Sequence, residues 1–152
     1  TCLEQLDPSL LSTVQAVQVC GQMHGCVLWS SEKKRATSNL FTWQDQRCDD
    51  EFLSSLPQTR QPIAISSGYG CATLAWLQKY CPAQLIDYDC AGTIMDYVVW
   101  MLVGGKGPIV MSDQNAVSWG YFDQKSCRNS RAFLFPLLFS WFNVKLKNAT
   151  HH

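Results

Sequence analysis

No apolar run in this chain reaches the ~20 residues a helix needs to cross a bilayer, and no charged, apolar leader opens it. Charge is scarce at 16% of 152 residues, and the twelve basic and twelve acidic residues cancel. A neutral balance gives no reason to expect a polyanionic partner, so nucleic acid is not expected. There is no CxxC pair, and His24 is the single histidine outside the C-terminal end. The close Cys and His pairs of zinc sites are therefore absent, and no metal ligand is assigned. The GxxxxGK[ST] phosphate loop and any internal repeat are missing too.

What is present is a 47% hydrophobic composition, which suits one globular domain or a piece of one. The first residue is Thr1, so the chain is expected to begin inside a longer one. Eight cysteines sit among abundant Val, Leu, Ile and aromatics; buried reduced thiols in a cytoplasmic protein are expected, and disulfides are not. The charges divide sharply. Residues 1–123 carry twelve acids against seven bases, a balance of −5, whereas residues 124–152 carry five bases and no acid, a balance of +5. Within the second stretch, 132–142 (AFLFPLLFSWF) is too short to span a membrane and contains Pro136. An interfacial anchor suits it, but a tail foreign to the fold is the expectation, and no membrane partner is expected. The sequon Asn148-Ala149-Thr150 carries little weight, and His151-His152 reads as a tag remnant.

Strands alternating with helices indicate an α/β architecture. Residues 2–6 read as a helix end stopped by Asp7-Pro8. Residues 14–20 (VQAVQVC) read as a strand buried on both faces, residues 26–29 as a second strand, and 40–43 as a short third. The polar stretch 30–38 is expected as an exposed loop. Helices are expected from Asp49 to about Leu56, over 71–80, and from an Asp89 N-cap to Gly104-Gly105. A last short strand is expected near Tyr121.

Two loops could carry chemistry. Gly21-Gln22-Met23-His24-Gly25 follows a strand, where ligands gather in α/β sheets. Met23 offers a soft apolar surface, and the His24 imidazole can donate to or accept from a hydroxyl. Trp43-Gln44-Asp45-Gln46-Arg47 combines an aromatic wall with a carboxylate and a guanidinium, which suits a polyol whose C–H faces are apolar. On pattern alone a structural histidine, and a core tryptophan beside a solvated Asp–Arg pair, are the commoner readings of both. Ser66-Ser67-Gly68-Tyr69-Gly70 reads as a tight turn rather than an anion site. Asp96 and Asp113 read as caps or helix-face contacts.

Five stretches, GQMHGCVLW, FTWQDQRC, SGYGCATLAWLQKYCP, YDCAGTIMDYVVWML and MSDQNAVSWGYFD, together resemble the FGGY carbohydrate kinases, over about residues 10–123. The resemblance implies a partial actin-like, ribonuclease-H-like ATPase lobe, incomplete at both ends, with 1–123 as part of the N-terminal sugar-binding domain. It implies transfer of the γ-phosphoryl of ATP, with Mg2+, to a sugar hydroxyl, here the primary hydroxyl of a ketoheptose. A ketopentose kinase is the alternative within the family, and a short isoform that binds sugar or a partner without catalysis is the alternative outside it. The positions of Met23, His24 and Trp43 line the family's sugar pocket, and those of Asp45 and Arg47 lie close by.

The sequence departs from that family in instructive ways. Its opening Asp-x-Gly-Thr-Thr phosphate loop, the catalytic aspartate and the second lobe with most of the adenine site have no counterpart here. No catalytic or cofactor-binding residue is therefore assigned, and ATP and Mg2+ are expected to bind the complete enzyme only. The family's first signature has a lysine where this chain has Thr73, three residues before Trp76, a departure shared by the ketoheptose branch. The strand expected over 14–20 needs sheet neighbours that lie outside the chain. The polypeptide alone is expected to fold poorly and to lack kinase activity.

Overall fold

A computed structural model gives the fold and describes residues 3–33, 37–57, 64–123, 128–129 and 144–146. Short polar side chains start most helices by accepting the first free N–H groups. Asp7 accepts from the Ser9 N–H at 2.8 Å and opens α1 (Pro8–Ser12), whose proline sits where no N–H is needed. Asp49 accepts from the Phe52 N–H at 2.8 Å and opens α2 (Asp50–Ser55). The helix α3 (Gly70–Tyr80) lacks a side-chain cap and is held instead by burial of Cys71 through Ala75 and Leu77. Thr93 and Asp96 form a reciprocal capping box at α4 (Ile94–Leu102), and Ser112 caps α5 (Asp113–Trp119).

Among the described residues strands are short and form three separate pairs. The first, β1 (Val27–Trp29), runs antiparallel to β2 (Cys90–Gly92), with Leu28 opposite Ala91. A parallel pair joins β3 (Ile109–Met111) to a strand at Val144–Leu146, and an antiparallel one joins β4 (Phe122–Asp123) to β5 (Arg128–Asn129). Alternation along β1 divides the interior into two. Cys26 and Leu28 face the larger cluster with α3, Trp119 and Phe122, whereas Val27 and Trp29 face a second one with Trp100 and Ile109. Helices mixed with strands fit the α/β class read from the sequence. No described helix is long and apolar enough to cross a membrane.

Several local expectations change. Residues 14–20 form no strand; Val14 is 51% and Val17 74% exposed. No described strand pairs with them, so an apolar, β-branched segment that suits a sheet interior is left in water. The strand expected over 40–43 reduces to one bridge from Phe41 to Cys26. Asp7-Pro8 begins a helix rather than ending one, and the described residues before it form a 3₁₀ turn, Leu3–Gln5. Asp89 caps no helix. It accepts from the Ser31 N–H at 2.7 Å and from the Ser31 hydroxyl, β2 intervenes, and the cap falls on Thr93. The apolar run 132–142, the sequon and the closing histidines lie outside the described residues, while part of the 124–152 stretch, Val144–Leu146, is hydrogen-bonded to β3.

Candidate functional site

The loop of residues 21–25 turns on His24, which adopts φ +73° while the Gly25 N–H donates to the Met23 carbonyl at 3.0 Å. An i to i+2 bond around a positive-φ residue is a γ-turn of the rarer, strained hand, and a non-glycine residue holds it only when its surroundings over-determine it. Three contacts do so. The His24 Nδ1 lies 2.6 Å from the Ser118 carbonyl near the end of α5. The His24 ring stacks on Tyr69 with centroids 4.6 Å apart and planes 4° from parallel. Gly25 abuts the Phe41 backbone so closely that an added Cβ would lie 2.7 Å from its carbonyl oxygen. His24 is half-buried and Met23 is 40% exposed.

A tryptophan secures this loop from below. The Trp119 indole N–H donates to the Gly25 carbonyl at 3.1 Å, and its ring fills the space where Gly70 has no side chain. The start of α3, the end of α5 and the 21–25 loop therefore meet at one indole.

The second loop approaches through Gly68. This glycine has φ +84°, and an added Cβ would lie 2.1 Å from the Trp43 carbonyl, so the turn before α3 rests directly on the Trp43 backbone. The following residue is Tyr69, the stacking partner of His24. The Trp43 side chain is 53% exposed. Backbone contact thus joins the Trp43 loop to the turn that carries the His24 stack.

Asp45 and Arg47 form a unit of their own. The Arg47 Nε and Nη2 donate to the two carboxylate oxygens of Asp45, each at 2.8 Å, and the Arg47 N–H adds a bond to Oδ1 at 3.0 Å. The guanidinium lies 4.4 Å from the Phe41 ring centroid and 5.2 Å from that of Trp76. The side-chain hydrogen bond from Arg47 holds the Asp45 carboxyl below its ordinary range, and the same bond raises Arg47. The Ser67 hydroxyl donates to the Asp45 carbonyl at 2.7 Å, tying this unit to the Gly68 turn. Both charges are largely engaged with each other, so the unit stiffens the loop beside the exposed Trp43.

Tyr69, Ser118 and Trp119 were not singled out from the sequence. Tyr69 stood inside a stretch read only as a turn, and its partner lies 45 positions earlier, a separation that carries no local signal. Asp96 is a cap: it accepts from the Thr93 N–H and hydroxyl at 2.8 and 2.7 Å and from Asn115 Nδ2 at 3.3 Å. Its burial raises its pKa. Asp113 stands in the first turn of α5. Among the described residues no group of three or more His, Cys, Asp or Glu is arranged to hold a metal ion.

No family model matches the chain. Comparison with curated proteins nevertheless places it among homologues of the FGGY carbohydrate kinases, as the five motifs imply. It is 48% identical to sedoheptulokinase of Homo sapiens over 139 residues, covering 82% of this chain and 29% of that protein. It is 45% identical to sedoheptulokinase of Mus musculus over the same coverage. A glycerol kinase of Mycoplasma pneumoniae is 30% identical over 107 residues, 62% of this chain and 21% of that enzyme. The chain therefore spans under a third of the length of the sedoheptulokinases it matches.

Proposed function

We propose that this chain is the sugar-binding part of an ATP-dependent carbohydrate kinase. In the complete enzyme the reaction is phosphorylation of the primary hydroxyl of sedoheptulose. Residues 1–123 belong to one actin-like lobe of a cytoplasmic protein, and residues 124–152 form a tail distinct from the family pattern. The observation that carries this reading is the 48% identity to a sedoheptulokinase over most of the chain. Supporting it, the two loops that hold the proposed sugar residues are joined through Gly68 and Tyr69.

In this reading Met23 and the exposed Trp43 offer apolar surface to the sugar's C–H faces, while His24 meets a hydroxyl. Asp45 and Arg47 border the pocket and contribute mainly by fixing the loop that carries Trp43. ATP and Mg2+ supply the phosphoryl group and its charge stabilisation in the complete enzyme, where catalysis rests on positioning. No residue of this chain is assigned to the chemical step.

Isothermal titration of the chain with sedoheptulose and with xylulose tests the reading. Heat with the ketoheptose, reduced by Trp43→Ala and by Met23→Ala, is the expected result. Tighter binding of xylulose than of sedoheptulose would favour a ketopentose kinase, and no heat with either from chain whose buried thiols, such as Cys71, are protected would refute a sugar site.

A further inference from the structure

The contacts around His24 fix more than its position. A carbonyl oxygen only accepts hydrogen bonds, so an Nδ1 that lies 2.6 Å from the Ser118 carbonyl must carry the proton. A neutral imidazole has one N–H, so Nε2 is left as the acceptor. No hydrogen bond from a described residue reaches Nε2, and it is not among the sealed polar atoms of the interior. The ring is also prevented from turning over. Flipping χ2 would replace the Nδ1–H with a C–H against the Ser118 carbonyl, and the parallel Tyr69 ring at 4.6 Å admits motion only in its own plane. The strained γ-turn beneath it reads as the cost of presenting the ring this way.

We infer that Tyr69 and the Ser118 carbonyl are positioning groups that lock His24 as the Nδ1–H tautomer, leaving Nε2 as an acceptor for a ligand hydroxyl. This deepens the proposed function and rests on it for the identity of the ligand. The consequence is a restriction on the sugar's pose. A ketose presents hydroxyls, which donate and accept, and a carbonyl, which only accepts. Nε2 pairs with a hydroxyl and rejects the ketone oxygen, because two acceptors facing each other leave both unsatisfied.

The test is long-range ¹H–¹⁵N correlation on the full chain with ¹⁵N-labelled histidine, at a pH well above the ordinary histidine range. The expected result is a pyrrole-type Nδ1 and a pyridine-type Nε2 for His24, with its ring protons shifted upfield by the Tyr69 face. Tyr69→Phe preserves both signatures. Tyr69→Leu, which keeps apolar bulk and so guards against simple unfolding, removes the upfield shift and admits the other tautomer. A majority Nε2–H form in the unaltered chain, as in free histidine, overturns the inference. An unchanged tautomer and ring-proton shift in Tyr69→Leu would overturn the role of Tyr69.

Adding sedoheptulose separates this inference from the sugar reading. Movement of the Nε2 resonance alone supports both. A correct tautomer with Nε2 indifferent to saturating sedoheptulose leaves the positioning groups standing and removes the ketoheptose.

Discussion

A side chain at Gly70 would collide with Trp119: an added Cβ would stand 1.6 Å from the indole nitrogen and 2.0 Å from the adjacent ring carbon. Trp119 is 2% exposed and cannot move aside without giving up its bond to the Gly25 carbonyl. The first residue of α3 is therefore glycine for reasons of space, not of backbone freedom.

Gly70→Ala is expected to destabilise the chain by roughly 1–3 kcal/mol or more, the range for overpacking a tight interior. Gly104→Ala serves as the control. That glycine has φ +88° with nothing within 4 Å of an added Cβ, so only left-handed backbone strain of about 1 kcal/mol is incurred. Urea midpoints should fall much further for the first variant, and the sugar titration should weaken with it, because the loop holding His24 hangs on the same indole. Equal shifts in the two variants would show that the Trp119 contact does not govern stability.

How far this arrangement was legible in the sequence depends on distance along the chain. Helix starts at Asp49 and around Gly70 follow from a capping acid and a turn next to an apolar run, signals that span a few residues. The start of α4 was misplaced because two capping patterns stand four residues apart. Asp89 is a good cap by type, but Thr93 with Asp96 three residues later completes a capping box, and the three residues between them suffice for β2. Pro8 was read as a stop although proline also suits a first turn. Residues 14–20 have strand composition and no described partner, since pairing depends on neighbours rather than on propensity. The two loops were legible as candidates because glycine and tryptophan flank them. Their connection through Tyr69, Trp119 and the Ser118 carbonyl was not, because it joins positions far apart in sequence.

The Asp45–Arg47 pair gives stability a pH dependence with a definite sign. A carboxylate whose folded pKa lies below its ordinary value of about 3.9 contributes stability that is present above that value. The contribution is lost as pH falls through the depressed folded pKa. Asp45→Asn should therefore lower stability at neutral pH, where the paired carboxylate contributes, and flatten the acid limb of the stability profile below about pH 4. Arg47→Lys should lose about 1 kcal/mol at neutral pH, since an ammonium cannot reproduce the two-pronged bond to Asp45 while packing over Phe41 and Trp76. Chemical denaturation at several pH values reads both effects. An acid limb of unchanged steepness in Asp45→Asn would assign it to other carboxylates.

Thiol reactivity reports whether the described fold forms in solution. Cys20 is exposed, Cys81 is half-buried, and Cys26, Cys48, Cys71 and Cys90 are buried. Burial pushes the thiol of Cys71 up to about 12 and that of Cys48 up to about 11, so neither supplies thiolate at neutral pH. Brief alkylation followed by peptide mapping should modify Cys20 well ahead of Cys71 and Cys26. In denaturant the difference should vanish. Uniform modification of these cysteines without denaturant would mean that the core around α3 is not formed.

The last prediction concerns the exposed segment before the His24 loop. Val14 and Val17 present β-branched apolar side chains to water in a stretch whose backbone is not paired with any described strand, the combination that recruits other chains edge to edge. Purified chain should associate as its concentration rises, and Val17→Lys should reduce that association without lowering the urea midpoint, because Val17 is 74% exposed and packs on little. Sedimentation velocity across a concentration series measures the first effect. Neither form should release ADP from ATP in the presence of sedoheptulose, because solubility restores no chemistry to a chain in which no residue is assigned to the transfer. Sugar-dependent ADP release by the soluble Val17→Lys variant would place a catalytic group within these 152 residues and contradict that assignment.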